Sequence, residues 1–252
     1  MDRTPPDDAD HASRFLPLTG LLNARDLGGL PLVGGGLTRP GHLLRSDAPL
    51  ALGPEDLEHL AHFGLTTVVD LREAHELARE PSGLSGHDGI AVEHVEVWSL
   101  INASGVEPTD PWDITGFYLA ALDHAGPAFA TATRLLADAE GAALFHCTVG
   151  KDRTGLLALL ILEAVGVTRA AVIEDFALTE PRIGPIRERL LLEAEGRGIA
   201  RRDFVRLLGA TPDLIEPALA HLDERHGGAE AYLLRHGIGA PSLTRLRRKL
   251  RG

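Results

Sequence analysis

His146-Cys147-Thr148-Val149-Gly150-Lys151-Asp152-Arg153-Thr154-Gly155 is the stretch that decides the reading of this chain. Just before it, Ala142 to His146 is a short apolar run that suits a buried strand. Just after it, Gly155 to Val165 is almost continuously apolar, interrupted by Glu163, and reads as a central helix. The one cysteine of the chain therefore stands at a strand–loop–helix junction. Such a loop aims successive backbone N–H groups at one point, and the helix N-terminus adds partial positive charge. A nest of this kind binds a tetrahedral anion and favours a thiolate over a thiol. Gly150 and Gly155 lack a Cβ, which lets the loop curl tightly. Arg153, six residues after Cys147, closes the ring with a planar fork matched to two phosphate oxygens. The Thr154 hydroxyl is placed to hydrogen-bond the thiolate. Together these groups suit nucleophilic attack on phosphorus, with the equatorial oxygens held by loop amides and Arg153. A lone cysteine is more often a small buried hydrophobe, but the complete string between two apolar elements is far more specific. A nucleotide-binding GxxxxGK[ST] loop does not fit. Asp152 follows Lys151, and Phe145 stands where the first glycine is required.

Outward from the loop, Leu65 to Leu71 is rich in β-branched residues and reads as a strand. It follows a helix over Pro54 to His62, with Pro54 in its first turn. Ile90 to Trp98 alternates and predicts another strand. Asp113 to Ala139 is helical in pattern, broken at Gly126-Pro127, and the chain is helical from Thr168 onward. No internal repeat is present. Strands separated by helices predict an α/β fold, with a central, mostly parallel sheet flanked by helices. The late helices are expected to form either a lid or a simple extension. At 252 residues the chain suits one domain: a core over about 15–180 and a helical extension over about 181–252. Residues 1–14, rich in Pro and Asp, are expected to form a flexible acidic tail.

The net charge of −11 disfavours a nucleic-acid partner. A single cysteine excludes an intramolecular disulfide and a thiolate zinc site, and no cofactor or metal is expected. No apolar stretch reaches the roughly 18 residues of a membrane span, and the N-terminus has no apolar signal core. A cytoplasmic location is expected, with export by an unusual route left open. The C-terminal Arg245, Arg247, Arg248, Lys249 and Arg251 interleave with Leu243, Leu246 and Leu250 at helical spacing. This basic helix either touches an anionic membrane or rests on the acidic body of the protein, and the second is the expectation.

The string HCTVGKDRTG resembles the signature loop HCxxGxxR[ST]G of the protein tyrosine phosphatase superfamily. Its GKDRTG form resembles the bacterial tyrosine phosphatase family, which includes dual-specificity and lipid-active members. The resemblance extends to Asn23-Ala-Arg-Asp-Leu-Gly-Gly29, Leu44-Arg-Ser-Asp47, Val69-Asp-Leu-Arg72 with Glu76, and Asp175-Phe-Ala-Leu-Thr179, where Tyr is commoner than Phe176. It implies a cysteine-dependent phosphomonoesterase with phosphotyrosine as the leading substrate. Phosphoinositides and other small phosphoesters are the alternative, and an inactive phosphate-binding module is the alternative of another class. Phosphate and vanadate are the expected site ligands.

By this resemblance Cys147 forms a phosphocysteine and Arg153 neutralises transition-state charge. Thr148, Val149, Gly150, Lys151 and Asp152 complete the phosphate loop. His146 either orders the loop from behind or is a satisfied core histidine. Lys151 is either a second cation for a multiply phosphorylated substrate or a solvated lysine. Asp152 is the favoured general acid, because it shares the rigid loop. Asp110 and Asp113 are the alternatives, although Asp113 suits a helix N-cap. Asp70, Arg72, Arg25, Asp26, Arg45 and Asp47 are expected to pair and buttress the loop. The arginines between Arg182 and Arg206 either face the site or form a solvated face, the latter being expected.

Overall fold

The computed structural model describes residues 14–103 and 110–251. The acidic segment expected to be a tail lies outside them, apart from Arg14. Five strands form one sheet: β1 (Arg25–Asp26), β2 (Leu43–Ser46), β3 (Leu65–Asp70), β4 (Ala91–His94) and β5 (Ala142–His146). Their spatial order is β1-β2-β5-β3-β4. All neighbours run parallel except the β1–β2 pair. β5 is therefore central and buried along its whole length, as a parallel strand covered on both faces must be.

The side chains of β5 alternate between two cores. Ala143 and Phe145 join the larger core with Leu43, Val69 and the helices Ile114–His124, Gly126–Asp138 and Asp152–Ala164. Leu144 joins Leu44, Val68 and Leu60 on the opposite face, where the helix Pro54–His62 packs. The helix Asp152–Ala164 is buried almost all round, because the helices Arg169–Ala177 and Ala229–Arg235 cover the side away from the sheet. Truncating one of its fully buried leucines, such as Leu160→Ala, is expected to cost about 2–5 kcal/mol, read as a shift in the urea midpoint.

The strand expected over Ile90 to Trp98 is shorter in the structure. It spans Ala91–His94 and gives way to a helix at Trp98–Ala103. The reason is local capping. The Glu73 carboxylate accepts from the amides of Trp98 (2.8 Å) and Ser99 (3.0 Å), which nucleates that helix. The helical stretch Asp113 to Ala139 does divide at Gly126-Pro127.

The basic helix Ala240–Arg251 docks on the body. Leu243, Leu246 and Leu250 are buried. Arg245 pairs with Asp138 (2.7 Å) and Arg247 with Glu230 (2.6 Å). Lys249 donates to the carbonyls of Leu136 (3.1 Å) and Ala139 (2.8 Å). The helix thus rests on the protein's own body, as its charge pattern predicts. Among the described residues no helix is long and apolar enough to cross a membrane.

Candidate active site

The loop after β5 is shaped by what holds its carbonyls. His146 Nδ1 donates to the Cys147 carbonyl (3.1 Å). The Ala48 amide donates to that of Thr148 (3.2 Å). Asn23 Nδ2 donates to both Val149 and Gly150 (3.1 Å each), and Arg45 donates to Gly150 (2.7 Å). Four successive carbonyls are thus drawn outward, which leaves the intervening amides to face the cavity. Gly150 has φ +72°, and a Cβ there would collide with the Ser46 carbonyl, so the turn requires glycine. Gly155 plays a different part from the one expected. It lies inside the helix, and its missing Cβ makes room for the Phe176 ring.

Arg153 is locked in place. It donates to both carboxylate oxygens of Glu76 (2.5 and 3.0 Å), to the Leu71 carbonyl (3.3 Å) and to Thr148 Oγ1 (3.2 Å). Its guanidinium carbon lies 5.5 Å from the centre of the Trp98 ring. Burial opposes the charge on Arg153, but the Glu76 hydrogen bond and the Cys147 and Glu76 charges outweigh it and raise its pKa. Burial likewise pushes Glu76 up, yet Arg153 brings it down to about 2 from 4.5. A depressed carboxylate contributes stability that is complete above its unfolded value and is lost as the folded value is approached. Glu76 should therefore stabilise the loop fully above about pH 4.5 and release Arg153 as pH falls toward 2. Glu76→Gln is expected to remove this acid dependence and to lower kcat/KM on an aryl phosphate by roughly 10–100-fold, since such orienting groups act on that scale.

Of the expected buttresses, Asp70 and Arg72 pair with each other, Arg25 and Arg45 pair elsewhere, and Asp26 and Asp47 bond to backbone amides. Asp70 accepts from Arg72 Nε (3.0 Å) and Nη2 (2.6 Å) at the carboxyl end of β3. His146 Nε2 lies 3.7 Å from Asp70, and burial lowers the histidine pKa. Arg25 does not pair with Asp26. It reaches Asp175 (3.1 Å), as do Arg45 (2.6 Å) and Arg14. Asp26 instead accepts from the amides of Gly28 (2.8 Å) and Gly41 (2.5 Å). Asp47 accepts from the Asn23 amide (2.8 Å), positioning the asparagine that holds the loop.

The loop opens into a cavity of about 340 Å³. Thr148, Val149, Asp152 and Arg153 form its floor, and Trp98 and Phe117, packed edge to face at 4.6 Å, line one wall. Leu190, Ala194, Phe204, Leu207 and Leu208 close it from the helical segment after residue 183. The apolar side of that segment thus covers the site. Of its arginines, Arg197 lines the cavity, while Arg187, Arg189, Arg201 and Arg206 pair with Glu180, Glu80, Glu188 and Asp110.

Lys151 is not a solvated lysine. It is buried, pairs with Asp152 (3.0 Å) and donates to the Leu207 carbonyl of the cover. Asp152 lines the cavity and accepts a hydrogen bond from the buried Tyr118 hydroxyl (2.5 Å). Asp113 is the N-cap of its helix and accepts from the Gly116 amide (2.9 Å). Asp110 accepts from the Trp112 amide (2.9 Å) and pairs with Arg206 (3.1 Å). Neither lines the cavity. Among the described residues, Thr154 Oγ1 is buried with no protein partner, as is Arg153 Nε. Glu76, Tyr118, Trp98 and Phe117 are functional candidates to which the sequence alone assigns no role. Of these, Glu76 alone carries a signal there, as part of the block that begins at Val69.

A model of a family described as the tyrosine phosphatase family matches residues 16–252. A Cupriavidus necator protein named as a candidate tyrosine-protein phosphatase is 30% identical, over 84% of this chain and 80% of its own. A tyrosine-protein phosphatase of Nostoc commune is 29% identical, over 77% of this chain and 69% of its own. The triple specificity protein phosphatase PtpB of Mycobacterium tuberculosis is 27% identical, over 96% of this chain and all of its own.

Proposed function

The chain belongs to the tyrosine phosphatase family, and from that membership we propose that it hydrolyses phosphomonoesters, phosphotyrosine in proteins foremost, with Cys147 as nucleophile. The observation that carries the reading is the loop itself. Four carbonyls are held outward from Cys147 to Gly150, and Arg153 is clamped at the far end by Glu76. Cys147 Sγ attacks phosphorus while the loop amides and Arg153 hold the equatorial oxygens. The P–O bond breaks, and Asp152 gives its proton to the leaving phenolate. Water then attacks the phosphocysteine and loses its proton to Asp152. The S–P bond breaks, the thiolate returns, and inorganic phosphate leaves. The Trp98–Phe117 wall suits the ring of an aryl phosphate. The engagement of Lys151 by Asp152 and Leu207 speaks against a second phosphate there. We read residues 15–252 as one domain, and a nucleophilic thiol that must stay reduced suits the cytoplasm.

Hydrolysis of phosphotyrosine peptide in the presence of a chelator, inhibited by vanadate, is the expected result. Tight phosphopeptide binding with no turnover of phosphotyrosine, phosphoserine, phosphoinositide or nucleotide would make the protein a phosphate reader instead. Asp152→Asn is expected to lower kcat by roughly 10²–10⁴-fold and to abolish the basic limb of the pH–rate profile, as loss of a general acid does. Loss of that limb in Asp110→Asn, and not in Asp152→Asn, would move the role to Asp110.

A further inference from the structure

A second cluster of chemistry-bearing side chains lies where the helical extension meets the core. Asp123 is near the end of the helix Ile114–His124, and His221 ends the helix Pro212–His221. His226 ends the π-helical turn Leu222–His226. In a regular α-helix, residues five apart point about 140° away from each other. The π turn brings the His221 and His226 rings to 5.5 Å between centroids. Such turns are rare and frequently stand at functional sites. Both Nε2 atoms converge on one oxygen, Asp123 Oδ1, at 2.9 Å (His221) and 3.1 Å (His226).

We propose that Asp123, His221 and His226 bind a divalent transition-metal ion, with zinc the best chemical fit. Two imidazoles and one carboxylate are ligands that zinc accepts, at bonds of about 2.0–2.2 Å. Tetrahedral bonds of that length place ligand atoms about 3.3 Å apart, close to the two separations observed. The candidate ligand atoms all lie within 4.8 Å of one another. Asp123 and His221 are partly exposed, whereas His226 is buried. Among the described residues the Tyr232 hydroxyl is buried without a partner, and its ring packs edge to face on His226 at 5.0 Å. One contact opposes the ion. Arg235 donates to His226 Nδ1 (3.3 Å) and to the His226 carbonyl (3.2 Å). Metal on Nε2 puts the proton on Nδ1, so that first contact must break. The ion would fasten residues 212–226 to the helix that carries Tyr118, the donor to Asp152. None of the three ligands lines the catalytic cavity, so the inference stands independently of the proposed reaction.

The test is calorimetric titration of the full chain with zinc chloride, alongside its thermal unfolding. The background is Cys147→Ser, so that the thiol does not compete for the ion. Saturable uptake of one ion with a raised Tm is expected, and no uptake of magnesium, which prefers oxygen ligands. His221→Ala and Asp123→Asn should each weaken uptake at least about tenfold. His221 is partly exposed, and circular dichroism checks that both variants fold. Arg235→Ala should bind zinc more tightly. Absence of saturable uptake, or uptake unchanged in both ligand variants, would overturn the site.

Discussion

Cys147→Ser is expected to abolish turnover of aryl phosphates, a loss on the order of 10⁴-fold or more, as removal of a covalent nucleophile causes in other enzymes. The change replaces a buried thiol by a hydroxyl of similar size. It leaves the outward carbonyl bonds and the Arg153–Glu76 clamp in place. Vanadate or phosphate should therefore still bind, and the variant should unfold at nearly the wild-type temperature. With no second cysteine, no other thiol can take over the role. Substantial turnover by the variant would refute the role of Cys147, and lost phosphate binding would show that the serine had disturbed the loop.

The second large effect is structural. Asp175→Ala is expected to destabilise the protein by about 3–5 kcal/mol, the cost of leaving buried charge uncompensated. For a chain of this size that lowers the Tm by roughly 10 °C or more. Asp175 is buried and receives Arg14, Arg25 and Arg45. Burial pushes its pKa up, but the three guanidiniums hold it well below the usual range. Burial in turn brings Arg25 down to about 9. The carboxylate's contribution is complete above its ordinary value of 3.8 and is withdrawn as pH falls below it. Acid unfolding of the wild type should be steep in that range, and shallower in the variant. Because Arg45 also donates to the Gly150 carbonyl, activity should fall along with stability. Arg14→Ala should cost much less, since Arg25 and Arg45 remain on the carboxylate. Equal costs for the two variants would argue against Asp175 as the hub.

These two residues mark the boundary of what is legible in the sequence. The loop is readable because its nucleophile, amides and arginine are contiguous, and because the flanking runs declare a strand and a helix. The parallel sheet follows from the same alternation of elements. The N-cap role of Asp113 is readable for the same local reason. Contacts across long separations are not. Arg25 and Asp175 are 150 residues apart, and only packing shows that they meet. The Trp98–Phe117 wall is hidden because Trp98 reads as the end of a strand, whereas Glu73 caps a helix there. Lys151 leaves a free cation open as a reading because its partner, Leu207, is a backbone carbonyl 56 residues on. Gly155 reads as a loop residue, although the space it leaves belongs to Phe176.

The most direct test of the central claim is to mix the enzyme with an aryl phosphate, quench within one turnover, and measure the mass of its peptides. One phosphoryl group is expected on the peptide that carries Cys147, and none in Cys147→Ser. A phosphoryl group on another residue, or full turnover with no covalent intermediate at Cys147, would contradict that claim.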